Sequence, residues 1–324
     1  MTDESEGSRT DEPTRLDAVA VGSAIVDRTY ALTNLPEPDG GAFVREEAEA
    51  VGGVAANVAA ALARLGRETG VVSRVGDDDA ADRVLGDLRE RGIDVRRVRR
   101  GDSGERTSYA MILRDPAGER MIVAGGDSVP NLRLSVADRE YVPQADLAFT
   151  SAYAPDSVTA ALADAAEADS FPPLAFDLAG PLSELRGRGT RPETLDALLE
   201  VCDLFVANEV SARSYLGCGP REAVERLRER GVRRAAVTRG EAGALLLAEG
   251  AIVDVPAFGV AVADTTGAGD AFTAGLLHAW LLGDADPDAA GRFAAATAAL
   301  NCTAEGATGG LPTETDVREF LDSR

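Results

Sequence analysis

Short apolar segments, each followed by a helical segment, recur along the second half of the chain. Strands are predicted at 147–150, 174–177, 204–208 and 235–238, and Leu16 to Gly22 predicts a further strand near the N-terminus. Such alternation builds a doubly wound, mostly parallel α/β sheet with helices on both faces. Ligands of these sheets bind beyond the carboxyl ends of the strands. The binding residues are therefore expected at those ends.

The stretch Asp264 to Phe272, DTTGAGDAF, predicts a binding loop that leads into a helix. A strand-like segment, Ile252 to Ala263, precedes it, and helix formers from Ala271 to Leu282 follow and can end at Gly283. Small residues at a helix N-terminus let an anion approach the unpaired backbone N–H groups. The small residues here are Gly267, Ala268 and Gly269.

Asp270 lies beside this predicted anion site, in the first turn of the helix. The helix dipole favours its ionised form, which can accept a proton from a substrate hydroxyl. An anion hole with an adjoining base is what phosphoryl transfer requires. The alternative is a tight turn that ends in an N-cap aspartate.

A second helix begins after a glycine pair and carries Asn57 in its first turns. Gly52 and Gly53 let a substrate pack against bare backbone, and Asn57 offers both a donor and an acceptor. Asp27 follows the first strand, where its carboxylate can accept hydrogen bonds from sugar hydroxyls. The alternatives are a close helix-packing contact for the glycines and a loop-capping role for Asp27.

These motifs resemble the signatures of the ribokinase (PfkB) family of carbohydrate and nucleoside kinases. GGVAAN at 52–57 is similar to the N-terminal signature, and 264–272 is similar to the C-terminal one. The resemblance implies a ribokinase-like fold with a small β-sheet lid. It also implies ATP as phosphate donor with Mg²⁺, and a monovalent cation such as K⁺ is a further candidate. Asp270 would be the catalytic base, and the backbone of Gly267 to Asp270 would stabilise the transferred phosphoryl group.

The resemblance also implies a nucleotide site and raises a question about metal handling. The implied nucleotide-binding residues are Asn208, Thr238, Arg239, Gly240, Gly243, Gly306 and Ala307. For the Thr238 to Gly243 loop, the alternative is a turn that joins two strands. Ser211 stands where the family pattern N-x-x-E has glutamate, so the metal ligands are unknown, with Glu209 the nearest substitute.

Two alternating runs around Asp115-Pro116-Ala117-Gly118 predict a β-hairpin. Together with 43–49 it would form a lid from about 28–51 and 105–126. In the resembled family such a lid closes over the sugar and often pairs with a second subunit, so we expect a homodimer through the lid. Residues 1–15 are expected to be a disordered acidic tail, and 16–324 a single kinase domain.

The charged residues exclude several classes of function. All 33 basic residues are arginine, so a Walker A loop and Schiff-base chemistry, which need lysine, are excluded. A net charge of −22 argues against nucleic acid as a partner. No apolar run has the length of a membrane span, and no secretory signal is evident, so a cytoplasmic protein is expected.

The remaining polar residues add little chemistry. Cys202, Cys218 and Cys302 have no paired spacing and are expected to be buried thiols, and the single histidine, His278, is expected to pack or cap. The first strand lacks the G-x-G-x-x-G turn of a dinucleotide dehydrogenase.

These patterns predict an ATP-dependent phosphotransferase acting on an alcohol group of a small sugar. Ribose, ribose 1-phosphate or a nucleoside-like acceptor is favoured, while fructose, fructose phosphates and 2-keto-3-deoxygluconate stay open. A non-catalytic sugar or nucleotide sensor is the alternative from another class, and Ser211 motivates it.

Salt should stabilise this protein. At a net charge of −22, carboxylate repulsion loosens the fold unless ions screen it, and the acid-rich, lysine-free composition is typical of proteins adapted to a salt-rich cytoplasm. The melting temperature should therefore be higher in molar KCl than in dilute buffer. Equal melting temperatures in the two buffers would contradict salt adaptation.

Overall fold

The computed structural model describes residues 15–324, so the predicted acidic tail lies outside the described residues except for Arg15. The strands are β1 (Ala18–Val21), β2 (Ile25–Leu32), β3 (Val44–Gly52), β4 (Thr69–Val75), β5 (Asp94–Arg100), β6 (Tyr109–Arg114), β7 (Arg120–Gly125), β8 (Leu147–Ser151), β9 (Leu174–Asp177), β10 (Leu204–Asn208), β11 (Arg234–Thr238), β12 (Ala244–Ala248) and β13 (Ala251–Val255). The helices are α1 (Val54–Arg64), α2 (Asp79–Glu90), α3 (Val136–Tyr141), α4 (Asp156–Ala166), α5 (Leu182–Leu185), α6 (Pro192–Val201), α7 (Glu209–Leu216), α8 (Pro220–Glu229), α9 (Ala268–Leu276), α10 (Pro287–Asn301) and α11 (Glu314–Asp322).

The main sheet has nine strands in the order β13-β12-β11-β10-β9-β8-β1-β4-β5. The pairs from β11 across to β5 are parallel, whereas β12 runs antiparallel to both β11 and β13. A separate sheet has the order β3-β2-β6-β7. The predicted doubly wound fold with an additional small sheet is confirmed.

Helices cover both faces of the main sheet. Alternate residues of β1 enter two different cores, with Ala18 and Ala20 on one side and Val19 and Val21 on the other. The first core contains residues of α1, α2, α9 and α10, and the second contains residues of α3, α4, α6, α7 and α8. Because both faces are buried, the strands are continuous apolar runs, which made them visible in the sequence.

The small sheet, which we call the lid, contains the predicted hairpin. β6 and β7 pair antiparallel, and β6 pairs parallel with β2. Asp27 follows the first strand, as predicted, but it lies within β2, opposite Ala50 of β3, and not on a loop as the capping alternative required. Asp27 therefore belongs to the lid and not to the main sheet.

Two element boundaries near the 264–272 motif differ from the sequence prediction. The strand predicted over 252–263 ends at Val255, since Pro256 has no backbone N–H to continue the ladder. The following helix begins at Ala268 and becomes π-helical over Leu277–Leu281. A long irregular connection thus leads to the motif.

The polar residues that the sequence assigned to packing lie largely as expected. His278 is 6% exposed, and its ring stacks on Phe293. All three cysteines are free; Cys218 and Cys302 are buried and Cys202 is half-buried. Within residues 15–324 no helix has the length and apolarity required to cross a membrane.

Candidate active site

The start of α9 is held against a neighbouring loop by Gly267. This residue has φ 74°, and a Cβ there would lie 2.1 Å from the carbonyl oxygen of Ala307. Only glycine combines that backbone conformation with that contact. The loop 306–307 therefore lies directly beside the predicted anion hole, while its contact with a nucleotide stays a prediction.

A hydrogen bond joins the two predicted signatures, which lie 213 residues apart. Asn57 Nδ2 donates to Asp270 Oδ2 at 2.7 Å. Asn57 is on α1, which begins after Gly53 at φ 97°, and Ala56 N–H donates to the Ser23 carbonyl at 3.1 Å. The two helices that carry the signatures thus meet at their N-terminal ends.

Gly52 and Gly53 make room for this arrangement in different ways. A Cβ on Gly52 would lie 2.0 Å from Asp27 Oδ2, so the glycine leaves space for that carboxylate. A Cβ on Gly53 would lie 2.6 Å from the Ser23 carbonyl oxygen. The glycine pair therefore leaves space for the Asp27 carboxylate on one side and for the Ser23 backbone on the other.

The structure adds Asp177, which the sequence analysis did not single out. It is the last residue of β9, is 6% exposed, and accepts hydrogen bonds from Ala179 N–H at 2.8 Å and Thr273 Oγ1 at 3.3 Å. Thr273 lies on α9, one turn beyond Asp270. The signal that could have found Asp177 is a carboxylate at the carboxyl end of a buried strand.

A cavity of about 120 Å³ lies between these groups. The lining residues that also appear among the predicted or newly found site residues are Asp177, Asn208, Thr238, Gly269, Asp270 and Thr273. The cavity therefore brings the predicted base together with part of the predicted nucleotide site. Arg239 and Gly243 are not among its lining residues.

Three carboxyl groups with raised pKa values lie in this region. The pKa of Asp270 is raised to about 7, chiefly by burial and in addition by the charges of Asp177 and Asp27, while the Asn57 hydrogen bond opposes the shift. Burial also raises the pKa of Asp27 and of Asp177 to about 6. A carboxyl group with a pKa near 7 is matched to accepting a proton at neutral pH.

Asn208 and Ser211 form a capping box at the start of α7. Asn208 Oδ1 accepts from Ser211 N–H at 2.8 Å, and Ser211 Oγ accepts from Asn208 N–H at 3.0 Å. Ser211 Oγ also donates to the Asn208 carbonyl, and the residue is 0% exposed. Glu209 instead pairs with Arg213 on the helix surface. Neither Ser211 nor Glu209 lines the cavity.

The 238–243 segment is a turn between the antiparallel strands β11 and β12. Gly243 has φ 82°, and a Cβ there would lie 2.0 Å from the Val255 carbonyl oxygen. The Arg239 guanidinium pairs with Asp254 of β13. The segment is therefore a turn that joins two strands, as the alternative interpretation stated. Its contact with a nucleotide stays a prediction.

Asp264 links three segments of the chain, a role that the sequence did not indicate. Its carboxylate accepts from Thr266 N–H at 2.9 Å, from Gly306 N–H at 3.1 Å, and from Arg114 Nη1 at 3.2 Å. These donors belong to the 264–272 motif, the 306–307 loop and the lid. Hydrogen bonds from Thr266 and Gly306 and the charge of Arg114 hold the pKa of Asp264 below its usual range despite burial.

The chain is similar to known proteins over nearly its whole length. Residues 15–314 match the family described as pfkB family carbohydrate kinase. An ATP-dependent ribose-1-phosphate kinase from Halopiger xanaduensis is 33% identical over 94% of this chain and 98% of its own length. A solved Arabidopsis thaliana ribokinase, complexed with ribose and ATP, has a TM-score of 0.82 at 26% identity and covers 94% of this chain and 98% of its own.

A fructokinase from Vibrio cholerae, solved in fructose-, ADP- and potassium-bound form, shares the fold. Its TM-score is 0.75 at 21% identity, with coverage of 95% of this chain and 98% of its own.

Replacing Asp177 with asparagine should lower the pKa of Asp270. The negative charge of Asp177 disfavours ionisation of Asp270, so its removal lets Asp270 lose its proton at a lower pH. The measurement is a titration of the Asp270 carboxyl carbon by NMR between pH 4 and 9. Asp164→Asn, on the exposed surface of α4, is the matched control and should leave the midpoint near 7. An unchanged midpoint in Asp177→Asn would contradict the coupling.

Proposed function

The chain belongs to the pfkB family of carbohydrate kinases, and from that premise we propose that it transfers the terminal phosphate of ATP to an alcohol group of ribose 1-phosphate or ribose. The observation that carries the proposal is the Asn57–Asp270 hydrogen bond, which brings the acceptor and phosphate signatures to one place. The ribose-1-phosphate kinase that is 33% identical supports this acceptor class. Fructose, fructose phosphates, 2-keto-3-deoxygluconate and nucleosides are the alternatives.

Asp270 is proposed as the general base. Its carboxylate takes the proton of the acceptor hydroxyl as that oxygen attacks the terminal phosphorus. Asn57 fixes the orientation of the carboxylate by donating to Oδ2, which leaves the other oxygen for the hydroxyl. With its pKa raised to about 7, chiefly by burial, this group is a stronger base than an exposed aspartate and loses its proton near neutral pH.

The first turn of α9 is proposed as the anion hole. The opening N–H groups of a helix have no helical partner, and the dipole concentrates positive potential there. Gly267 lets this turn lie close to the backbone of Ala307. Gly269 lines the cavity and adds no side chain to it. The backbone from Gly267 to Asp270 would therefore stabilise charge on the transferred phosphoryl group.

Acceptor binding is assigned to Asp27, Gly52, Gly53 and Asn57. Asp27 faces the site from the lid, and its carboxylate can accept hydrogen bonds from two neighbouring hydroxyls of a sugar. Gly52 is the residue that leaves space for this carboxylate. The nucleotide is assigned to the side of the cavity lined by Asn208 and Thr238 and to the adjoining loop of Gly306 and Ala307.

Mg²⁺ fits this site as an ion carried largely by the nucleotide. Within residues 15–324, no three His, Cys, Asp or Glu side chains gather as a metal-binding group. Mg²⁺ often keeps several waters and binds through substrate phosphates and one or two carboxylates. Asp177 is the buried carboxylate beside Asn208 in the cavity, and we propose that it accepts hydrogen bonds from the metal-bound waters. Bound in this way, Mg²⁺ would neutralise phosphate charge.

A monovalent cation, an oligomeric state and a cellular location are also proposed. The solved fructokinase that is described with potassium makes K⁺ a candidate cofactor, to be tested by replacement with Na⁺. The lid exposes Met121, Ile122 and Val123 on its edge strand β7, and such an edge favours pairing with a second copy. The protein is therefore proposed to be a cytoplasmic homodimer. The net charge of −22 and the halophile relative support a salt-rich cytoplasm.

The sensor alternative rested on Ser211, and the structure gives this residue another role. Both of its hydrogen-bonding groups are used in capping α7, so its identity does not by itself indicate loss of turnover. The paired Asn57 and Asp270 favour an enzyme.

Asp270→Asn should abolish turnover while ATP binding persists. The amide fills the same space and still accepts from Asn57, but it cannot take the hydroxyl proton, and loss of a general base costs about 10²–10⁴-fold in rate. The measurement is an ATP-coupled screen of ribose 1-phosphate, ribose, a nucleoside, fructose, fructose 6-phosphate and 2-keto-3-deoxygluconate in molar KCl. ATP affinity is measured by calorimetry, and Asp164→Asn is the control. Retention of more than about a hundredth of the wild-type rate would refute the assignment of the base.

Ser211→Glu should lower the Mg²⁺ concentration needed for half-maximal rate. Glutamate is a favourable residue at this third helical position, and its carboxylate would add an acceptor for metal-bound water. Ser211→Gln has the same size without the charge and should show no such gain. Glu209→Gln should also have no effect, because Glu209 pairs with Arg213. If Glu209→Gln raised the midpoint severalfold while Ser211→Glu left it unchanged, Glu209 would be the residue that serves the metal.

A further inference from the structure

We propose that Arg120, with Arg114 beside it, binds a phosphate group at the lid side of the active site. The inference rests on the proposed function and adds to it a recognition site for one particular charged group of a substrate. The residues come from the lid hairpin, and neither belongs to the sequence signatures.

The register of the lid strands places both arginines on the face that carries Asp27. Asp27 of β2 is level with Ala110 of β6, which is level with Ala124 of β7. Four residues further along β2, Ala31 is level with Arg114, which is level with Arg120. Paired residues share a face of a sheet, and residues at even spacing stay on it. The backbone levels of Asp27 and of the two arginines are therefore about 13 Å apart along the strand direction, on one face of the lid.

The residues between these two ends are small or apolar. On this face, Thr29 of β2, Ile112 of β6 and Ile122 of β7 lie between Asp27 and the arginines. Ala31 of β2 lies beside Arg114. Glu46 of β3 is level with Ala31 but lies two strands from Arg114 and three from Arg120. The face thus offers a hydroxyl-binding carboxylate at one end and an anion-binding pair at the other.

Side-chain contacts join the arginine end of this face to residues 264–266, the segment that leads into the proposed anion hole. Arg114 Nη1 is 3.2 Å from Asp264 Oδ2, and Arg120 Nη1 donates to Thr266 Oγ1 at 3.4 Å. Thr266 immediately precedes Gly267, where the anion hole begins. Both guanidinium groups therefore reach the segment that leads into the proposed site of phosphoryl transfer.

The charges of the two arginines are balanced differently. Asp264 neutralises Arg114, whereas Arg120 has no carboxylate within 4.0 Å among residues 15–324. Arg239, the residue that the sequence favoured for phosphate contact, is already paired with Asp254. Because the chain has no lysine, arginine must supply any side-chain cation beside the phosphates. The planar fork of a guanidinium suits the oxygens of a phosphate.

Two phosphates could occupy this place, namely the phosphate of a phosphorylated acceptor and the terminal phosphate of ATP. An acceptor whose hydroxyls bind Asp27 would lie under the same face of the lid. The terminal phosphate of ATP would lie at the proposed anion hole, next to residues 264–266, which the two arginines contact. The chemistry that Arg120 recognises is the same in both cases. The experiment is therefore designed to separate the two sources.

The test compares Arg120→Gln with the wild type by calorimetry against ribose, ribose 1-phosphate, ADP and ATP. Glutamine keeps much of the side chain and its donor but removes the charge. Losing a charge-assisted hydrogen bond should lower the affinity for the ligand that carries this phosphate by about tenfold to a hundredfold. Arg106→Gln is the matched control, since Arg106 is an exposed arginine of the same region that pairs with Asp127. It should leave all four affinities unchanged.

A loss confined to ribose 1-phosphate, with ribose unaffected, identifies the acceptor phosphate. A loss confined to ATP, with ADP unaffected, identifies the terminal phosphate of the nucleotide. Affinities that stay within twofold of the wild type for all four ligands overturn the proposal, and so does an equal loss for all four, which indicates a displaced lid. Failure of every acceptor to be phosphorylated by the wild type refutes the proposed function instead. The calorimetric result can still be interpreted in that case.

Discussion

The hydrogen bond from Asn57 to Asp270 is the interaction on which the rest of the site depends. It joins the N-terminal ends of two helices that are distant in sequence and supplies a hydrogen bond to a half-buried carboxylate. An ionised carboxylate that is withdrawn from water without hydrogen bonds is strongly unfavourable. The same contact therefore stabilises the proposed base in the folded protein and orients its carboxylate. Glycines near this contact allow close backbone approaches, of Gly53 to the Ser23 carbonyl and of Gly267 to the Ala307 carbonyl.

Much of the fold followed from the sequence because its physical causes are local. Strands buried on both faces are continuous apolar runs, and the Asp115 to Gly118 turn sits between alternating segments. Residues that must be glycine for steric reasons, such as Gly267 and Gly53, were also visible, since backbone conformation and close approach restrict the residue type. The strand ending at Val255 was predicted too long because alternation alone does not reveal where a ladder loses its partner.

The parts that the sequence did not reveal depend on which residues meet in space. Asp177 is one aspartate among many in an acidic chain, and only its position beside Asp270 makes it part of the site. Arg239 pairs with Asp254 of β13, a contact that the sequence does not indicate, and its contact with phosphate stays a prediction. Ser211 caps α7 through its hydroxyl, which a comparison with the family pattern alone does not show. In each case the surroundings of the side chain depend on a contact partner that the sequence does not identify.

The location of Asp27 on β2 divides the proposed acceptor contacts between the lid and the main body. Asn57 and Asp270 lie on helices of the main body, so an acceptor that touches all three side chains bridges the lid and the body. Part of its binding free energy is then used to fix the relative position of these two parts. An analogue that lacks the hydroxyl facing Asp27 would consequently lose catalytic rate as well as affinity, since it could not hold the reacting oxygen against the base. Discrimination between sugars would thus be expressed through induced fit and not through affinity alone.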